Sequence, residues 1–428
     1  MFDNTPLLYL TQSLWRDEAF SVLVASPGGF ETIRITSSDY SPPLYYLFLH
    51  YWMLVFGKAE ITIRVLSLIF FIGFLYIFYQ FAKAIFKDKW AKVSLLLAAF
   101  NPMLVYYAFE ARGYSLNILT TTASMYYFYI NKPLPYIIAT TLALYTHPYT
   151  VIVPVVQGLY LLISKKLTKE KIITMVIPFI LYTPWMFVIA DQLTRTEKMW
   201  MWPINLTLIL SVLGNLLIGY EGTPGFLWKY TIILSVTVFV LYIFAISTKK
   251  RFKQNILFFL WVFVPLAIVL IISYFKPIFV NRYLITVSSA QVMLLAIALK
   301  SIKTVIIKRL LTVFFFGIWL YSLYFLPPYI KKVDVRTAFA QINTIANEED
   351  FVYANTPLVF FESVYYYKNP TKVYLFNPQH IILPNYLAIV LIPNKVHKDF
   401  FPKYPARTFM IYEDGHYEIF SGFPDINK

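Results

Sequence analysis

The sequence predicts a mostly α-helical, polytopic membrane protein, with about ten spans and some interfacial helices, followed by a small C-terminal α/β domain. Three observations predict it. Hydrophobic residues make up 59% of the 428 residues and charged ones only 14%, against about 25% charged in an ordinary soluble domain. The apolar residues lie in long runs, several near the ~20 residues needed to cross a bilayer. Lysine and arginine gather in the short loops between those runs, as they do where loops face anionic lipid.

In chain order the apolar runs are 60–82, 93–108, 113–130, 135–147, 148–164, 172–190, 226–247, 255–274, 283–299 and 310–326. The run 135–147 covers roughly 20 Å of a ~30 Å hydrocarbon core and is expected to stop inside a cavity. Four loops are basic: Lys83/Lys87/Lys89/Lys92, Lys165/Lys166/Lys169/Lys171, Lys249/Lys250/Arg251/Lys253 and Lys300/Lys303/Lys308/Arg309. The positive-inside rule places all four in the cytoplasm. Alternation then puts residues 1–58, the turn at Glu110–Arg112, His147–Pro148, loops 191–206 and 275–282 and the tail 329–428 on the extracytoplasmic side. This parity requires that 207–220 not cross. It also calls for a span ahead of the outer segment 1–58, for which the apolar residues 7–10 are far too few; no signal-peptide pattern is present. The domains read as an acidic outer loop with interfacial helices (1–58), a transmembrane domain (59–326) and a soluble domain (329–428).

Within the outer loop, Ser41-Pro42-Pro43 precedes an amphipathic stretch 44–56, expected to lie along the membrane. After Pro327-Pro328 the composition turns soluble-like. Asp334 is a candidate N-cap for a helix over 336–346, and 357–367 reads as a second helix. Strands are expected at 351–354, 372–376 and 386–392. Thr408–Tyr412 and Tyr417–Ser421 flank Glu413-Asp414-Gly415-His416 as a hairpin.

The net charge of +15 would suit nucleic acid, but its confinement to loops between apolar runs argues for lipid instead. Cysteine is absent, which excludes disulfides, thiolate metal sites and thiol catalysis. With 13 glycines in the chain, no glycine-rich nucleotide loop is found. Aromatic residues reach 19% and suit both interfacial belts and sugar stacking.

The polar candidates share the outer face. Asp17 and Glu18 read as a general base with a tuning neighbour, or as first-turn acids of a helix capped by Ser13. Arg112 can hold a phosphate and Glu110 a sugar hydroxyl, or the two form a local pair. His147 is either a donor to phosphate or sugar, or a satisfied structural histidine. Arg282, with Asn281 and Tyr283, can bind phosphate bidentately or anchor a helix at the headgroups. Arg195, Lys198, Trp200 and Trp202 suit a lid or an aromatic belt.

Trp15-Arg16-Asp17-Glu18-Ala19-Phe20 followed by Pro42-Pro43-Leu44-Tyr45-Tyr46 resembles the first outer loop of the GT-C glycosyltransferases, in particular the protein O-mannosyltransferase and aminoarabinose transferase group. Glu110-Ala111-Arg112-Gly113-Tyr114, Tyr145-Thr146-His147-Pro148-Tyr149 and Arg282-Tyr283-Leu284 are similar to later landmarks of that group. The resemblance implies an integral-membrane enzyme that transfers a sugar from a polyprenyl-phosphate donor to a hydroxyl of a glycan, lipid or protein acceptor, with inversion. It carries the base role to Asp17, with Glu18 beside it. It carries substrate and donor-phosphate binding to Glu110, Arg112, His147, Arg282 and Tyr283. No metal ligand set is expected; a divalent cation bridging Asp17 and the phosphate is an alternative that arginine makes unnecessary. A helix usually precedes the acidic loop in that group, and residues 1–12 depart from it. The competing readings are a transporter or lipid flippase, which calls for ionisable residues in mid-span, and a non-catalytic scaffold with an outer domain.

Overall fold

The computed structural model describes residues 4–194, 201, 203–221, 225–247, 252–384, 387 and 389–422. Arg195, Lys198, Trp200, Trp202, Lys249, Lys250 and Arg251 therefore lie outside the described residues. Among the described residues six helices are long and apolar enough to cross a membrane: Glu60–Ile85, Lys169–Gln192, Gly225–Ser247, Phe252–Phe275, Asn281–Ser301 and Val305–Phe325. The run expected at 93–108 is broken. Helices Asp88–Ala99 and Pro102–Ala108 meet at 60° and together make a seventh candidate. The break has a local cause. Pro102 cannot continue the preceding helix, and Asn101 starts a new one by accepting the Leu104 N–H at 3.1 Å while its amide donates to the Leu217 carbonyl at 2.9 Å.

The remaining predicted runs are the shorter helices Tyr114–Tyr129 and Pro133–Leu144 and the helical stretch Pro148–Ile163. The segment expected not to cross is the helix Leu206–Ile218, about 20 Å long. Gly219 closes it with φ 74°, a conformation that favours glycine.

The chain forms two compact units. One comprises Met1–Leu10, Arg64–Val188 and Met199–Ile330; the other comprises Thr11–Ile63, Ile189–Lys198 and Lys331–Lys428. In the first unit the helix through Asn281–Ser301 is the central one: 89% of its apolar window is buried, against 17–50% for the other spans. Its side chains fit a dry bundle. Ala290, Ala296 and Ala298 allow close approach, and the buried Ser288 hydroxyl donates to the Leu216 carbonyl at 2.6 Å. The opening of this helix is thereby fixed, and Arg282 and Tyr283 with it.

Helix Leu206–Ile218 packs on Trp228–Ser247 at very short range. The Gly214 N–H donates to the Ser235 hydroxyl at 2.7 Å, and a Cβ at Gly214 would meet the Thr231 carbonyl oxygen at 2.3 Å. Only a hydrogen in place of a side chain permits that approach.

The second unit holds helices Arg16–Ala25, Gly29–Ser38 and Leu44–Phe56 together with a five-stranded sheet. Strands β1 (Phe351–Ala354), β2 (Val373–Phe376), β3 (His397–Lys398), β4 (Thr408–Ile411) and β5 (Tyr417–Phe420) lie in the order β3-β2-β1-β4-β5. All pairs are parallel except β4 with β5, which is the expected hairpin. Helix Pro357–Tyr366 is the crossover between β1 and β2, so both parallel partners stay covered. The expectation of a strand at 386–392 is not met over its described part, where Ile389–Leu391 is a 3₁₀ turn. Asp334 caps the helix Val335–Ile345 as expected, accepting the Thr337 N–H at 3.2 Å.

Replacing Gly214 by Ala should push the two helices apart and lower stability by about 1–3 kcal/mol, the usual range for overpacking. Thermal unfolding in detergent measures this; an unchanged Tm would mean that the close approach is not a constraint.

Candidate functional site

The first unit brings Glu110, Arg112, His147, Arg282 and Tyr283 into one cluster. Each sits where a helix starts or stops. Glu110 and Arg112 occupy the turn between Pro102–Ala108 and Tyr114–Tyr129, His147 follows Pro133–Leu144, and Arg282 and Tyr283 lie in the 3₁₀ turn Asn281–Leu284. A proline or glycine accompanies the first two of these turns, at Gly113 and Pro148.

Aromatic rings join the pieces. The His147 ring lies 5.1 Å from Tyr283, 5.4 Å from Tyr149 and 6.5 Å from Tyr114, centroid to centroid. Tyr114 in turn meets Tyr107 at 4.7 Å. The Arg112 guanidinium lies 5.9 Å from the Tyr114 ring and that of Arg282 lies 5.8 Å from the Tyr283 ring, within the range of cation–π attraction. Arg112, Arg282 and Glu110 all act electrostatically on Tyr114. His147 Nδ1 accepts the Tyr149 N–H at 3.2 Å. A neutral imidazole whose Nδ1 accepts carries its proton on Nε2, so Nε2 is the nitrogen able to donate.

Sequence reasoning missed two members. Glu221 accepts from the Tyr107 hydroxyl at 2.9 Å and from Arg282 Nη1 at 3.4 Å. It lies just past Gly219, after a helix read only as non-crossing, so nothing local distinguished it from an ordinary loop acid. Tyr107 lay inside an apolar run and read as a packing residue. Together they hold the Arg282 side chain, which is 12% exposed. The Tyr114 hydroxyl is fully buried and has no hydrogen-bond partner among the described residues.

Asp17 and Glu18 belong to the second unit, on helix Arg16–Ala25. The structure separates their roles. Glu18 is buried, and its Oε2 accepts the Trp15 N–H at 3.2 Å, the back-reaching half of a capping box. Asp17 is half-buried and therefore within reach of solvent. The cap position is Trp15, not Ser13 as the local sequence suggested. The Ser13 hydroxyl is engaged elsewhere, 3.1 Å from the Tyr366 hydroxyl and accepting the Arg336 N–H at 3.2 Å. Among the described residues, no group of three His, Asp, Glu or Cys side chains is arranged to hold a metal ion.

At the level of sequence, no family model and no characterised protein matches this chain. Solved structures do. ArnT from Cupriavidus metallidurans is similar in the apo state (TM-score 0.62) and bound to undecaprenyl phosphate (TM-score 0.64), each at 12% identity, covering 95% of this chain and 91% of the other. The Archaeoglobus fulgidus oligosaccharyltransferase, in complex with Zn and sulfate, is similar at TM-score 0.50 and 12% identity over 78% of this chain and 54% of its own. The chain has the GT-C fold.

In this chain the C-terminal segment grips the acidic segment, which the sequence did not reveal. Helix Pro357–Tyr366 packs against Arg16–Ala25, with Phe361 and Phe20 rings 5.7 Å apart. The Tyr366 hydroxyl accepts the Leu14 N–H at 2.7 Å and also bonds Glu60. Arg336 bonds the other Glu60 oxygen. The Glu362 carboxyl is buried and accepts the Arg16 N–H. Burial pushes its pKa up to about 8; the Arg16 charge opposes the rise, while Asp17 and Glu413 add to it. In sequence Glu362 is an isolated acid in an apolar helix, and what singles it out is the electrostatic influence of Asp17, 345 residues away in the chain.

The raised value has a definite sign for stability. Glu362 favours its protonated form when folded, so its burial is free of penalty below the unfolded value of 4.5 and weakens the fold progressively as pH rises towards about 8. Glu362→Gln keeps an oxygen for the Arg16 N–H but cannot ionise. Its Tm should fall less than that of the wild type between pH 4.5 and 8. Parallel Tm–pH curves would contradict the assignment.

Proposed function

We propose that this protein is a membrane glycosyltransferase that moves a sugar from a polyprenyl-phosphate donor to an acceptor hydroxyl. The observation that carries the reading is the cluster in the first unit. There, Arg112 and Arg282 are assembled with His147, Tyr114 and Tyr283, the chemistry of a site for a phosphate bearing a sugar. The GT-C fold supports it, as does the undecaprenyl phosphate bound in a structure of this fold.

In the proposed reaction the acceptor oxygen attacks the anomeric carbon as the bond from that carbon to the phosphate oxygen breaks. The acceptor proton passes to Asp17, and the polyprenyl phosphate leaves as an anion stabilised by Arg282 and Arg112. Attack opposite the leaving group inverts the anomeric configuration. Glu18 holds the start of its helix and so orients Asp17, and Glu221 with Tyr107 orients Arg282. His147 and Tyr283 face the sugar or phosphate, and Glu110 a sugar hydroxyl. Arginine suffices to neutralise the leaving group, and no step needs a divalent ion. The catalytic face and the C-terminal domain are assigned to the extracytoplasmic side, because the lysine-rich loops mark the cytoplasmic one.

A transporter or flippase would use ionisable groups at the middle of its spans. The charged groups of the cluster instead stand at helix ends, which favours surface chemistry.

Asp17→Asn should lower transfer from a polyprenyl-phosphate sugar by about 10²- to 10⁴-fold, with elution and Tm unchanged in detergent. Full activity in a folded variant would remove Asp17 from the base role.

A further inference from the structure

We infer that the first unit carries a second phosphate site, at the end opposite the Arg112–Arg282 cluster. It is a hollow ringed by Lys132, Lys166 and Lys171, and it takes the phosphate of an anionic lipid headgroup or of a soluble phosphate compound. The hollow has a volume of about 150 Å³.

Its position follows from three helices. Tyr114–Tyr129 leaves the cluster and ends at the hollow, about 24 Å away at 1.5 Å per residue. Pro133–Leu144 returns from the hollow towards His147, and Ile152–Ile163 runs back to it again. The hollow therefore lies at the far boundary of the apolar layer, where anionic headgroups and soluble phosphates are both within reach.

The backbone builds the rim twice by the same device. Asn131, with φ 57°, closes the first helix, and Lys132 N–H then bonds back to the Tyr127 carbonyl at 2.9 Å. Lys165, with φ 54°, closes the other, and Lys166 N–H bonds back to the Leu161 carbonyl at 2.9 Å. Both are Schellman closures, which glycine usually makes. Among the described residues only Asn131, Lys165 and His380 are non-glycine residues with positive φ, so two of three such positions flank this hollow. Each one sets the backbone of the lysine that follows. Lys171 completes the ring, its ammonium donating to the Lys166 carbonyl at 3.3 Å.

The lining is cationic without compensation. Among the described residues no aspartate or glutamate lines it, and the floor is Tyr136, Tyr160 and Leu161, all buried. The Tyr136 hydroxyl is already committed to Gln157 Oε1 at 2.9 Å, so the charge for binding an anion comes from the ammonium groups. Three like charges around a small concavity repel one another, and an anion with several acceptor oxygens relieves that repulsion. Lysines that merely snorkel to headgroups need neither a concavity nor backbone-locked positions.

The test uses the full-length protein in detergent, titrated with phosphatidylglycerol, phosphatidylcholine and inorganic phosphate and read by native mass spectrometry and thermal shift. Two triple variants are compared: Lys132→Gln/Lys166→Gln/Lys171→Gln, and a control, Lys87→Gln/Lys89→Gln/Lys92→Gln, which removes the same charge from another basic loop. The first should bind phosphatidylglycerol at least tenfold more weakly than wild type, the control within about twofold, with phosphatidylcholine unaffected. Inorganic phosphate that binds and competes at millimolar concentration identifies a soluble ligand; binding of the lipid alone identifies the headgroup. Equal losses in both variants, or a loss in neither, would overturn the site.

Discussion

A charge placed beside hydrocarbon has to be paired or solvated, and the polar architecture of this protein follows from that requirement. Glu221 offers one oxygen to Tyr107 and the other to Arg282. Glu60 divides its oxygens in the same way between Tyr366 and Arg336. Arg64, fully buried near the start of the first long span, donates to the Leu10 carbonyl at 3.0 Å. Glu362 meets the requirement differently: burial favours the neutral acid and the Arg16 N–H supplies a partner. For Glu221, Glu60 and Glu362 the group that answers the charge also fixes a segment of chain carrying a candidate functional residue.

Packing supplies the rest of the rigidity. The helix that follows Arg282 and Tyr283 is buried along almost its whole length, so the residues at its opening inherit the positional precision of a core element. Gly214 lets a short helix lie against its neighbour closely enough for Gly219 to turn the chain and deliver Tyr220 and Glu221, with the Tyr220 carbonyl accepting from Asn281 at 3.0 Å. A site made from helix ends in this way exposes polar backbone and side chains only where the helices stop.

Much of this was legible in the sequence because two of its signals are strong and local. Long apolar runs and basic loops marked the spans, and the hairpin and the Asp334 cap carried their own turn and capping chemistry. Arg112, His147 and Arg282 were readable as candidates because each is a polar residue interrupting apolar text at a turn. What escaped depended on distant contacts. The cap passed from Ser13 to Trp15 because Tyr366 and Arg336, more than 320 residues away, engage Ser13. The break at Asn101–Pro102 was hidden by continuous hydrophobicity, and the apolar stretch at 386–392 had strand composition but turned as a 3₁₀ segment at Ile389–Leu391. Glu221 and Glu362 look ordinary in sequence, since their significance lies in which arginine or aspartate the fold brings near them.

The central claim is that the Arg112–Arg282 cluster receives the phosphate of a polyprenyl carrier. The most direct test is equilibrium binding of undecaprenyl phosphate to the purified protein and to Arg282→Ala, followed by native mass spectrometry at fixed detergent and salt. The account predicts saturable one-to-one binding to the wild type, weakened about tenfold or more in the variant, as expected on losing a charge-assisted hydrogen bond to phosphate. Equal affinity in a folded variant would contradict it.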